Sequence, residues 1–171
     1  METWDAIRAR RNVRTFADRP IPPADLDRIL EAAWRAPSSM NEQPWDFVVC
    51  TDRETLRTLA ETWRYAEHVG GSAATVVLVA PTVADPDARD WIFYDMGQAT
   101  MNMMLVATDL GIGSCHAALD DQDLARRLLG LPEDRFCVGS ISFGYPADRP
   151  LAPIDRPDRR PIAEVVHRER W

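Results

Sequence analysis

Apolar positions along this chain follow helical and strand-like periods in turn, without a regular alternation of the two. Glu2 to Arg11 sets Trp4 and Ile7, with Arg11 a turn further on, along one side, which predicts a short amphipathic helix. Pro20-Ile21-Pro22-Pro23 punctuates the chain, and its last proline suits the first turn of a helix. That helix runs from Ala24 to Arg35, with Leu26, Ile29, Leu30 and Ala33 at helical spacing, and Ala36-Pro37-Ser38-Ser39 ends it. Phe47 to Cys50 reads as a buried strand and Glu54 to His68 as a helix. After the break at Gly70-Gly71 comes a strand, Thr75 to Ala80. Asp121 to Leu129 is a further short helix, and Cys137 to Phe143 alternates like a strand.

The longest periodic segment is Asp90 to Leu110. Ile92, Met96, Ala99, Met103, Val106 and Leu110 step by four and three, while Phe93, Met101, Met104 and Leu105 cover other faces. A helix apolar nearly all round is buried on all sides, so a partner subunit is expected against it. Asp95, Gln98, Asn102 and Asp109 argue against a membrane span, and Gly111 stops the helix. From Pro146 to Pro161 the chain is too rich in Pro, Asp and Arg to form core, yet it returns to an apolar run at Ile162 to Val166. The tail is therefore expected to dock. Strands scattered among helices, without steady strand–helix alternation, indicate an α+β fold.

Length and charge narrow the function. The 171 residues suit one domain, and a net charge of −7 disfavours nucleic acid and anionic membrane surfaces. With no signal-peptide core and no membrane-length apolar run, a soluble cytoplasmic protein is expected. All the basic residues are Arg; there is no Lys. That excludes phosphate loops built on a lysine and Schiff-base chemistry, and leaves fixed cations suited to oxyanions. Cys50, Cys115 and Cys137 are odd in number and widely spaced, as in reduced, buried thiols. His68, His116 and His167 have no metal-ligand spacing.

Three stretches could carry chemistry. Arg8, Arg10, Arg11 and Arg14 put four cations within seven residues, and Arg156, Arg159 and Arg160 cluster near the other end. If the ends meet, they form a phosphate clamp; if not, both clusters are solvated surface. Ala36 to Trp45 packs hydroxyls and the carboxamides of Asn41 and Gln43 between Pro37 and Pro44, which reads either as a rigid ligand loop or as a helix stop and turn. Gly111-Ile112-Gly113-Ser114-Cys115-His116 lacks the third glycine of a dinucleotide fingerprint and follows a helix rather than a strand. Its glycines would let backbone N–H groups approach a ligand, while His116 alone is more often a packing residue.

Taken together, Arg10-Arg11-Asn12-Val13-Arg14-Thr15-Phe16, Ala36-Pro37-Ser38-Ser39 and Asn41-x-Gln43-Pro44-Trp45 resemble the FMN-dependent nitroreductase family. Asp95, Leu110 to Cys115, Phe143-Gly144-Tyr145-Pro146, Arg159-Arg160-Pro161 and Glu164 to His167 extend the resemblance almost end to end. It implies a three-layer α+β sandwich, with a central mixed sheet flanked by helices, in an interlocked homodimer. Residues 1–171 would form one FMN-binding domain, with 146–171 as an arm docked on the partner.

The resemblance also implies the site. Arg10, Arg11, Asn12 and Arg14 would hold the phosphate, ribityl chain and pyrimidine side of FMN. Pro37, Ser38, Ser39 and Asn41 would reach the ring from the other subunit. Cys115, His116, Ala117 and Ala118 would supply backbone contacts near flavin N5, and Arg159 and Arg160 further phosphate cations. The family's C-terminal lysine position is Pro157 here, with Arg156 or Arg160 available in its place. Trp63 to Ser72 leaves little room for a long substrate lid. The implied activity is transfer of hydride from NAD(P)H through FMN to a nitroaromatic, quinone or similar acceptor, with no catalytic side chain and no metal. A flavin-sequestering protein of the same fold is the alternative. An acidic interaction module without cofactor would leave the arginines as surface.

Overall fold

A computed structural model describes residues 1–171. The chain forms α1 (Thr3–Ala9), α2 (Pro23–Trp34), β1 (Asp46–Cys50), α3 (Arg53–Ala60), α4 (Glu67–Gly70), β2 (Ala74–Pro81), α5 (Pro86–Asp109), β3 (Gly113–Ala117), α6 (Gln122–Leu129) and β4 (Arg135–Gly144). The strands make one sheet in the order β1-β2-β4-β3. Alternation along β2 explains the three layers. Val76, Leu78 and Ala80 face a core shared with α2 and α5, while Val77 and Val79 face a second core with α3 and α6. A register shift between Leu78 and Val79 kinks β4, so that Val138 and, past the kink, Ile141 and Phe143 all face the α5 side.

Local sequence sets the helix ends. The Asp52 carboxylate accepts the Thr55 N–H at 2.8 Å to start α3, and Asp121 does the same for Leu124 to start α6. Pro86 stands in the first turn of α5 behind the Asp85 cap. Gly130 and Gly111 take left-handed conformations just past α6 and α5.

Several expectations change. The mixed sheet resolves within one chain into antiparallel pairs throughout; its one parallel contact is the isolated bridge between Asn12 and Ser114. The helix expected from Glu54 to His68 is two helices: between them Trp63 stays packed on the second core while Arg64 and Tyr65 turn outward. The glycine stretch after α5, which carried no strand period, is an edge strand, β3. The Trp4–Ile7 side of α1 faces out, and Ala6 and Ala9 are its buried residues. α5 is likewise incompletely covered by its own chain. It buries Met96, Ala99, Met103 and Met104 but leaves Trp91, Tyr94 and Met101 exposed. No helix is long and apolar enough to cross a membrane.

Candidate functional site

Two glycines seat the N-terminal arginines. Gly113 and Gly144 pair across β3 and β4. A Cβ on Gly113 would meet Val13 Cγ2 at 2.6 Å, and one on Gly144 would meet Phe16 at 2.7 Å. Only bare backbone lets the Asn12–Phe16 segment lie against the sheet. There the Val13 N–H donates to the Ser114 carbonyl at 3.0 Å, and the Ala17 N–H donates to that of Tyr145 at 2.8 Å. Gly113 thus makes room for Val13.

This placement brings the basic stretch to β3. Partial burial and the positive charge of Arg10 push His116 below its ordinary value, although the residue is exposed at the surface. Burial pushes the Cys115 thiol up, with Arg14 opposing. Behind the strand, His68 Nδ1 lies 2.8 Å from Ser142 Oγ, which lies 3.2 Å from the Cys115 carbonyl. Burial, then the charge of Arg14, lowers the His68 pKa, with a backbone hydrogen bond to His116 opposing.

A cavity of about 710 Å³ opens beside this strand, lined by Arg14, Phe16, Trp63, Arg64, Tyr65 and His68 among others. Its size is that of a small-molecule or cofactor site. Flat aromatic walls and two guanidinium groups suit a planar ligand that carries negative charge. Trp63, Arg64, Tyr65 and His68 were not singled out from the sequence as ligand residues. The available signal was the aromatic–Arg–aromatic run itself. His116, Ala117 and Ala118 line a further cavity, of about 290 Å³, against Met96, Gly97 and Met101 of α5.

The Pro37–Asn41 stretch sits elsewhere. It packs on α5, where the Ser39 N–H donates to Asp95 Oδ2 at 3.0 Å, and Gln98 Nε2 donates to Asp95 Oδ1 at 3.2 Å. Gln98 Nε2 also reaches the Pro37 carbonyl at 3.4 Å. Met40, Asn41 and Gln43 all have positive φ, at 49°, 59° and 53°. Three such residues without glycine store backbone strain of the kind found at ligand clamps. The loop borders a cavity of about 370 Å³ with Trp91 and Asp95, apart from the arginines of the same chain.

The chain ends meet. The Ile154 N–H donates to the Arg8 carbonyl at 3.1 Å, and the Ala147 N–H donates to that of Thr15 at 3.0 Å. Arg8 pairs with Asp155. Arg11 donates through Nη2 to Asp148 at 2.8 Å and to the Arg149 carbonyl at 2.9 Å. Up to Asp155, then, the arm lies on its own chain. Beyond that, Arg159 donates to the Asp158 carbonyl and Arg160 to Glu164, and the apolar run with Ile162, Val165 and Val166 is exposed. The structure does not bring Arg159 or Arg160 into contact with Arg10.

The fold and these cavities define a class: an α+β sandwich with arginines and aromatic rings around a cavity at a sheet edge. Comparison with known proteins makes it specific. The sequence pattern described as the Nitroreductase family matches residues 7–68 and 59–145, and the chain belongs to that family. It is 35% identical over 174 residues to an Archaeoglobus fulgidus protein provisionally named NADH dehydrogenase/NAD(P)H nitroreductase, covering 99% of each chain. Among solved structures, an FMN-dependent nitroreductase from Clostridium difficile R20291 superposes with a TM-score of 0.83 at 26% identity, covering 97% of this chain and 98% of that one. The NADPH:FMN oxidoreductase of Vibrio harveyi, solved with NAD+, gives 0.85 at 26% identity over 97% of this chain and 76% of that one.

Proposed function

We propose that this protein is an FMN-dependent NAD(P)H oxidoreductase, acting as a homodimer on small acceptors such as nitroaromatics and quinones. Family membership supports the enzyme class and the cofactor. The observation that carries the reading is the seating of the 12–17 segment along the β3 edge of the sheet, which brings Arg10 near His116 and Arg14 near Cys115 and into the wall of a cavity of about 710 Å³ with aromatic rings. That set fits FMN: guanidinium groups for the phosphate and pyrimidine, flat rings beside the isoalloxazine. FMN, when bound, supplies the two-electron redox chemistry.

The chain's residues do the rest. Arg10 and Asn12 hold the phosphate and ribityl chain, with Arg159 and Arg160 closing from the arm. Arg14 and Arg64 place positive charge at the pyrimidine side, where the reduced ring is most electron-rich. Cys115 to Ala118 set the backbone along the ring, and Arg11 ties the arm down beside it. Pro37, Ser38, Ser39 and Asn41 reach the flavin of the partner subunit. Exposed Trp4, Ile7, Trp34, Trp91, Tyr94 and Met101, on helices that pack together, supply the apolar surface such a dimer needs. Arg64 and Tyr65 are exposed, so the cavity is open to solvent, which favours turnover over sequestration.

The test is titration of apo-protein with FMN and with riboflavin. A charge-assisted bond is worth ~1.5–3 kcal/mol, so Arg10→Ala should weaken FMN binding roughly 10- to 150-fold and riboflavin binding much less. Equal losses for the two ligands would remove Arg10 from the phosphate.

A further inference from the structure

The cavity bearing Arg14 and Arg64 continues, through shared Phe16 and Gly71, into a second of about 410 Å³ that is lined by Arg19 and Arg53. Unlike Arg8, Arg11 and Arg35, none of these four arginines pairs with a carboxylate. Each of three is instead held by a neutral partner. The Arg19 guanidinium stands 3.6 Å over the Tyr145 ring, that of Arg64 stands 4.5 Å over Tyr65, and Arg53 donates to the Ser72 carbonyl. Such contacts fix a guanidinium without cancelling its charge. Of the residues lining the two cavities, only Asp18 and Glu67 are acidic. Asp52, next to Arg53, is engaged by the Thr55 N–H. A protein with a net charge of −7 therefore carries a groove of excess positive charge leading out of the cavity of about 710 Å³.

We propose that this groove seats the phosphate-bearing arm of the nicotinamide dinucleotide, with Arg19 and Arg53 gripping phosphate oxygens outside the cavity where the ring reacts. The inference rests on the oxidoreductase reading above. Reduced nicotinamide is neutral and its oxidised form cationic, so the reacting ring gives Arg19 and Arg53 nothing to bind. The phosphates tethered to it are the matching part of the donor. The flavin phosphate is assigned to Arg10, which leaves the Arg19–Arg53 end for a second anion.

The experiment uses flavin-loaded wild type and the Arg19→Gln/Arg53→Gln double variant. NADP+ binding to the oxidised protein is measured by calorimetry, alongside KM for NADPH and for dihydronicotinamide riboside, which has no phosphate. The variant should bind NADP+ about tenfold more weakly, with a matching rise in KM for NADPH. Its flavin content and its KM for the riboside should not change. Unaltered NADP+ binding, or an equal loss with the riboside, overturns the proposal. So does loss of FMN from the variant, which would assign the pair to the flavin phosphate. A wild type without flavin would instead refute the oxidoreductase reading, and the NADP+ titration would still report on the arginine pair.

Discussion

Asp95→Asn separates a tether from a bystander. The Asp95 side chain is 2% exposed and forms no ion pair; its carboxylate accepts only the Ser39 N–H and the Gln98 amide. Hydrogen bonds to a charged group contribute about 1.5–3 kcal/mol, and the isosteric amide must turn an NH2 towards one of two donors. The loss is partly offset because a neutral amide costs less to bury. A net destabilisation of about 1–3 kcal/mol is expected, and each kcal/mol lowers Tm by about 2–4 °C in a chain of this size. The site should suffer beyond the global loss. Ser39 anchors the loop in which Met40, Asn41 and Gln43 hold positive φ, each at a cost on the order of 1–3 kcal/mol. Freed of the tether, these residues relax. Urea unfolding reads the stability, amide exchange at residues 38–43 reads the loop, and FMN titration reads the site. A variant that unfolds like wild type and keeps its loop amides protected would refute the tether. Loop release with unchanged FMN affinity would remove Pro37 to Asn41 from the flavin.

Two more expectations follow from packing and charge. Burial and Arg14 hold the His68 pKa below 6.5, so its contribution is present above that pH and is lost as pH falls through the folded value. His116 shares the sign, so the urea midpoint should fall on acidification from about pH 7.5 to about 5.5, and less steeply in His68→Gln. An equal slope in the variant would exclude His68. Gly113→Ala drives a Cβ into Val13 and should cost about 1–3 kcal/mol and weaken FMN binding, whereas a Cβ on Gly97 would meet nothing within 4 Å, so Ala there should cause no loss of stability on denaturant titration.

Periodicity located α2, β1, β2, α5, α6 and β4 because each buries a recurrent apolar face. It missed β3, whose Gly-Ser-Cys-His-Ala carries no alternation and whose place depends on β4 and Val13. It located α1 as well, but not its buried face, because Trp4 and Ile7 are apolar on a surface this chain does not itself cover. The arginine stretches and the Pro37–Asn41 loop were legible as a combination of residue types. Trp63 and Tyr65 were not: Trp63 packs on the second core with one side while lining the cavity, and Tyr65, which reads as one more aromatic in a helical period, is turned outward. Strain in the loop was hidden as well, because Met40, Asn41 and Gln43 are not residues that announce a positive φ as glycine does.

The seating of residues 12–17 governs when the protein can acquire its cofactor. These residues leave the ribosome early, yet their partners are Ser114, Tyr145 and Ala147, and Gly144 is where Phe16 rests. The central pairing of β2 with β4 also waits for the whole of α5 and β3 to be made. Closing so long a segment adds little to the thermodynamic cost but slows folding. The nascent chain therefore carries Arg10 and Arg14 unseated through most of synthesis. With FMN assigned to them as proposed above, its capture belongs to the last stage of folding, once β4 and the start of the arm have emerged.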